Sequence, residues 1–177
     1  MPTYSNNVKN KLLVMYFINA LNTPLLGYQI EDYFVENVLI ETVELHTILD
    51  ELTELAFVKT EVAFNRTYYT ITAKGKEALE SLESGLTETS RALINDYSAE
   101  KRDTIVNENN VLSSCKQSAD GTFNLVLTLL DNAQPLMEMK LAIKDEDFAV
   151  AASRNWAKCS NDVYAAVVNL LLSGGGQ

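Results

Sequence analysis

The segment Arg66–Leu82, RTYYTITAKGKEALESL, constrains the fold of this chain more than any other, because a strand pattern runs directly into a helix pattern. Over residues 66–72 the side chains alternate between two faces and are mostly aromatic or β-branched, which predicts a strand. Ala73-Lys74-Gly75 predicts a turn, and a helix is expected from there to about Glu83. The residues before such a join should supply the rest of a small, mostly helical domain.

Those preceding residues predict three helices and one more strand. Apolar residues recur at helical spacing, and Pro24 ends the first helix because proline disfavours helix in the residue before it. Thr42 is expected to cap the third helix, or Glu41 to open it. A tight turn at residues 63–65 joins the two strands. The predicted elements are helices over residues 8–21, 27–35 and 43–55 and strands over residues 57–62 and 66–72.

The second half of the chain predicts strands followed by helices. A helix is expected first, and Asn107-Glu108-Asn109-Asn110 is a polar break that predicts a domain boundary. Asp145 and Ser160 are the expected caps of two final helices, and Ser173–Gln177 is expected to be a flexible end. The predicted elements are a helix over residues 87–105, strands over 111–118, 122–130 and 136–143, and helices over 145–159 and 161–172.

Together these elements predict an α+β chain in three parts. Residues 1–85 form an N-terminal domain of helices and a hairpin, and residues 86–106 form a linking helix. Residues 107–177 form a C-terminal domain in which two helices back a three-stranded antiparallel sheet. This last domain is the expected place for dimerisation or for an effector.

Composition narrows the class of protein. No apolar run reaches the roughly 18 residues of a membrane span, and the N-terminus lacks the apolar stretch of a signal peptide. Cys115 and Cys159 fit neither a disulfide framework nor a zinc site, so each is expected to be a buried, reduced thiol. A cytoplasmic protein without a membrane partner is expected.

The order helix–helix–helix–strand–strand resembles the winged helix-turn-helix domain of transcriptional regulators. The segments that carry this resemblance are NKLLVMYFINAL, LHTILDELTELAFV and YYTITAKGKEAL. Nearly the whole chain is similar to the bacterial domain-of-unknown-function 4364 family, through LTLLDNAQPLMEMKLAI, the Asn155-Trp156 pair and VYAAVVNLL. The resemblance implies a DNA-binding transcriptional regulator and carries over no catalytic or ligand residue.

The winged-helix interpretation selects the residues that are expected to meet DNA. In a helix-turn-helix module the recognition helix enters the major groove, and basic side chains of a hairpin tip suit the minor groove. The candidate DNA-binding residues are Thr42, His46 and Thr47 on the third helix and Lys59, Asn65 and Arg66 on the hairpin.

Charge argues against DNA and supports an alternative. The formal charge is −10, whereas nucleic-acid binders usually show a basic patch. The exposed face of the third helix carries four acidic residues, Glu41, Glu44, Asp50 and Glu51. The alternative function is a winged helix that contacts another protein and does not bind DNA.

Catalysis, metals and cofactors are not expected. His46 is the only histidine, and its i,i+4 neighbour Asp50 makes a pair that is common by chance on an acidic helix. No glycine-rich phosphate loop follows a strand. The protein is therefore not expected to be an enzyme.

The remaining expectations concern partners. A homodimer is predicted from a narrow apolar seam on the helix over residues 87–105, although that seam also suits packing within its own domain. A set of methionine and aromatic side chains suits either a small-molecule effector cavity or, with greater weight, the core of the C-terminal domain. These residues are Phe123, Met137, Met139, Phe148 and Trp156.

Overall fold

The protein is described by a computed structural model that covers residues 6–174. The predicted flexible end therefore lies outside the described residues from residue 175 onward. The chain divides into two compact units, Met1–Ile105 and Val106–Gln177. Six α-helices and two three-stranded antiparallel sheets occur in residues 6–174, which confirms the α+β class.

The first unit contains the three predicted helices and the predicted hairpin, with bounds that differ by one or two residues. A further strand of two residues, β1, was not predicted, because so short a segment has no periodicity to detect. The elements are α1 Asn6–Leu21, β1 Leu25–Leu26, α2 Gly27–Glu36, α3 Thr42–Glu54, β2 Val58–Ala63, β3 Arg66–Ile71, α4 Ala73–Leu82, a 3-10 turn Glu83–Gly85 and α5 Glu88–Asn110.

β3 is the central strand of the first sheet, whose order is β1-β3-β2. β1 pairs with it through Leu25 and Tyr69, and β2 pairs with it from Val58 to Ala63. β1 and β2 are both antiparallel to β3 and lie on its two sides. The sheet therefore ties the start of α2 to the hairpin, since Gly27 follows β1 directly.

Apolar faces of α1, α2 and α3 form the core of the first unit. Phe17, Ile30 and Leu45 are fully buried. Aromatic rings pack at the centre, where Phe17 stacks on Tyr33 with ring centroids 4.4 Å apart. Such pairs stabilise a core by about 0.5–1.5 kcal/mol beyond their buried area.

The join between β3 and α4 has no separate turn. The prediction of a turn at Ala73-Lys74-Gly75 is wrong, because α4 begins at Ala73. Thr72 caps this helix by accepting a hydrogen bond from the Gly75 amide at 3.0 Å. Gly75 lies so close to the Phe57 carbonyl that a β-carbon there would be 2.1 Å from its oxygen. Only glycine fits at this position.

α5 packs against its own unit. Ile94 and Ile105 are buried in the first core, and the ring centroids of Tyr97 and Tyr33 lie 4.7 Å apart. The Ser98 hydroxyl donates to the Ala20 carbonyl at 3.0 Å. The apolar seam that predicted a dimer is therefore largely occupied within the chain.

The predicted helix break at residues 107–110 is wrong, because α5 continues to Asn110. Polar residues continue a helix when their side chains find partners. The Asn107 amide donates to the Ala157 carbonyl at 3.3 Å, and Asn109 is buried. The second unit then continues with β4 Val111–Gln117, β5 Phe123–Asp131, β6 Gln134–Ile143 and α6 Glu146–Leu172.

One helix, α6, replaces the two predicted C-terminal helices. Asp145 caps it as predicted, accepting from the Phe148 amide at 2.8 Å. Ser160 is no cap but a buried residue in the middle of α6. Apolar packing on both sides of Ser160, by Trp156 and Val163, keeps the helix continuous despite the capping signal.

Leu125, Leu127, Leu129 and Trp156 form the second core, against which Met137 and Met139 pack. The expectation that Phe148 shares this core is wrong, because its side chain is 63% exposed. Eight residues separate it from Trp156, which places the two side chains about 80° apart around a helix.

Two-residue turns close two of the hairpins. Phe64 and Asn65 join β2 to β3, and both have positive φ, at 52° and 58°. Asn132 and Ala133 join β5 to β6 in the same way, at 48° and 66°. Positive φ at both central residues defines the type I′ turn that matches strand twist. The longer turn predicted at residues 131–135 is thus replaced by a two-residue turn, and Pro135 lies inside β6 beside a register shift.

Two further features correct or complete the sequence analysis. Cys115 is exposed rather than buried, and Cys159 is half-buried; neither forms a disulfide. Among the helices of residues 6–174, none has the length and apolar character required to cross a lipid bilayer.

Candidate functional site

The three residues predicted to read DNA from α3 all lie on its exposed side. Thr42 is the first residue of α3, and the cap is Glu41, which makes no side-chain cap hydrogen bond. His46 is 64% exposed, and its Nε2 lies 3.5 Å from a Glu31 carboxylate oxygen on α2. The Thr47 hydroxyl donates to the Val43 carbonyl at 3.0 Å, one turn earlier.

The three predicted hairpin residues occupy its surface. Lys59 is exposed on β2, opposite Thr70, and Asn65 is exposed at the tip. Arg66 is half-buried and opens β3.

Two neighbouring depressions connect α3 with the hairpin. The first, here called the acidic depression, has a volume of about 210 Å³ and is lined by Gly27, Tyr28, Glu31, His46, Leu49, Asp50 and Tyr69. The second, the Arg66 depression, has a volume of about 340 Å³ and is lined by Leu26, Gly27, Tyr28, Arg66, Thr67 and Tyr69. Three of the residues are common to both, so His46 and Arg66 belong to one continuous surface.

The remaining predicted residues lie elsewhere. Thr47, Lys59 and Asn65 line neither of these depressions. Thr42 lines a third depression, at the turn between α2 and α3, whose volume is about 680 Å³. Its apolar walls include Val38, which is 90% exposed. The surface beside the start of α3 is therefore partly apolar.

Carboxylates dominate the electrostatics of this surface. Residues 12–58 contain eight Asp and Glu residues and no Lys or Arg. Two of the carboxylates have partners on α1: Glu44 accepts from the Asn10 amide at 2.8 Å, and Glu51 pairs with Lys11 at 2.7 Å. The ammonium group of Lys11 is therefore already engaged in an ion pair.

The pKa of the Tyr69 phenol responds to the surroundings of the acidic depression. Burial, and secondly the charge of Asp50, raise the pKa of its phenol above the ordinary value. Strand alternation alone accounts for a tyrosine at this position, so no sequence signal marks Tyr69 as a site residue. Tyr28 is 52% exposed and lines both depressions.

A metal centre has no support in the described part of the chain. Across residues 6–174, no three His, Cys, Asp or Glu side chains converge as metal ligands. Glu31, His46 and Asp50 share a depression, but only the first two are at ion-pair distance.

Comparison with known proteins places the chain in a family without assigning a site. Neither the curated proteins nor the solved structures gave a match. Residues 10–171 match the family described as "Domain of unknown function (DUF4364)". Since that match covers nearly the whole chain, the protein belongs to the domain-of-unknown-function 4364 family.

Proposed function

We propose that the first unit is a winged helix-turn-helix domain and that the protein is a DNA-binding transcriptional regulator. The observation that carries this proposal is the sheet order β1-β3-β2, in which a two-residue strand between α1 and α2 pairs with the second strand of a hairpin after α3. The depressions lined by His46 on α3 and by Arg66 on the hairpin share three residues, which supports a common surface for the helix and the wing.

The proposed DNA surface combines α3 with the hairpin. Thr42, His46 and Thr47 offer hydroxyl and imidazole groups to base edges, as the first turns of a recognition helix do. Arg66 contacts a phosphate beside the hairpin, where it lines the Arg66 depression together with Gly27.

Binding to a random-sequence duplex tests this proposal. Fluorescence anisotropy across a salt series should show affinity that falls with salt, with a slope of about −0.9 for each phosphate contact in log–log form. Arg66→Ala should weaken binding to all sequences alike, whereas His46→Ala should change the preference among sequences. Lys116→Ala is the matched control, because it removes an exposed cation from the second unit.

A protein partner is the second candidate, and the charge distribution favours it. The lack of any Lys or Arg in residues 12–58 leaves α2 and α3 repelled by phosphate. Val38 and Val43 are 90% and 80% exposed beside the start of α3, which suits a protein surface. If no duplex is bound even at about 50 mM salt, where electrostatic attraction is strongest, this candidate replaces DNA binding.

We also propose a homodimer. Packing within the first unit occupies much of the α5 seam. Leu170, Leu171 and Leu172 at the end of α6, however, are 63%, 77% and 82% exposed, and they supply an apolar surface for a dimer. Sedimentation at tens of micromolar checks this proposal, and a monomer at every concentration would refute it.

A further inference from the structure

We propose that the acidic depression binds a cationic side chain, lysine or arginine, presented by a partner protein. The inference deepens the protein-partner candidate and rests on it for the source of the cation. The depression itself is tested below with a small cation, so its failure differs from a failure to find a partner.

The first argument is chemical. Glu31 and Asp50 contribute carboxylates from two different helices, and Tyr28 and Tyr69 contribute aromatic rings from α2 and β3. Carboxylates with aromatic faces are the groups that hold ammonium and guanidinium ions, through charge-assisted hydrogen bonds and cation–π contacts. Four separate side chains thus present one ligand chemistry.

The second argument is that a carboxylate in the depression can still accept hydrogen bonds from a cation. Within residues 6–174, the Asp50 carboxylate makes no hydrogen bond or ion pair, unlike Glu44 and Glu51 on the same helix. Glu31 reaches only the His46 imidazole, at 3.5 Å, which is too long for a strong hydrogen bond. An incoming cation would therefore displace little.

The third argument is size. A volume of about 210 Å³ is smaller than the roughly 300–1,000 Å³ of pockets that enclose drug-sized ligands. It suits the head and part of the stem of one side chain. The open Arg66 depression continues from it and leaves room for the chain that carries the cation.

The test is an NMR titration of the full chain with methylguanidinium chloride at constant ionic strength. Saturable shifts are expected at the amides of Tyr28, Glu31 and His46. Methylurea, which has a similar shape and no charge, should leave them unchanged. Asp50→Asn should weaken binding about three- to fivefold, the range expected for an ion pair open to solvent.

Glu54→Gln is the matched control, because Glu54 is an exposed carboxylate on α3 outside the depression. The proposal fails if methylguanidinium produces no saturable shift, or if methylurea produces the same shifts. It also fails if Glu54→Gln weakens binding as much as Asp50→Asn, since the cation would then respond only to the general field of the helix.

Discussion

Replacing Gly75 with alanine should destabilise the first unit by about 3 kcal/mol. The new β-carbon would lie 2.1 Å from the Phe57 oxygen and 2.9 Å from Ile71 Cγ1, whereas real contacts are essentially never below 3.0 Å. The Phe57 carbonyl must therefore retreat, although it accepts a hydrogen bond from the Thr72 amide at 2.9 Å, while the Thr72 hydroxyl donates to the neighbouring Ala56 carbonyl at 2.8 Å. Overpacking against the backbone contributes about 3 kcal/mol and the weakened hydrogen bond about 1 kcal/mol, offset by about 1 kcal/mol of helix propensity gained by alanine.

Urea denaturation followed by tyrosine circular dichroism measures this effect, since seven of the eight tyrosines lie in residues 1–105. Gly27→Ala is the control, because its β-carbon would meet only Tyr69 Cε2, at an ordinary 3.6 Å. That variant should be unchanged or more stable by about 0.4–1 kcal/mol. If the free energy of unfolding of Gly75→Ala lies within about 0.5 kcal/mol of that of the unmodified protein, Gly75 and the Phe57 carbonyl do not approach this closely in solution.

Three further predictions concern the second unit. Trp156→Ala should lower the free energy of unfolding by about 3–5 kcal/mol in a thermal melt, because the ring is buried and its Nε1 donates to the Thr128 carbonyl at 3.3 Å. Phe148→Ala is the control and should leave the melting temperature nearly unchanged, because Phe148 is exposed. Asp145→Ala should cost about 1 kcal/mol through loss of the α6 cap; an unchanged melting temperature would contradict that role. The pKa of the Asp120 carboxyl should lie below its ordinary value, because the Thr122 hydroxyl, and secondly the Thr122 amide, donate hydrogen bonds to the carboxylate. The stability that these bonds contribute is therefore present above about pH 4 and is lost as the pH falls and Asp120 is protonated. An NMR titration of Asp120 that gives the same midpoint in Thr122→Val would exclude this cause.

Sequence patterns predicted the elements of this fold where local and tertiary signals agree. The α3 stripe, the hairpin and the alternation of β6 all follow from apolar periodicity, and the Asp145 cap follows from its side-chain oxygen. These features depend on residues close in sequence, so the local sequence is enough to predict them.

The errors arose where packing overrides a local signal. Ser160 and the asparagines at 107–110 look like helix ends, but burial and distant partners hold them inside helices. β1 exists only because β3 pairs with it. The acidic depression was missed for the same reason, since Glu31, Asp50 and Tyr69 come from three elements that only the fold brings together.

Pro135 has a consequence for how the second sheet behaves toward other chains. It lies in β6, an outer strand of ten residues, beside the shift in register between Leu129 and Leu130. An outer strand of this length is a template for cross-chain pairing and aggregation. Proline offers no amide hydrogen, and the irregular register breaks the regular ladder that a fourth strand would need. The start of β6 is therefore a poor template for pairing with a strand of another chain.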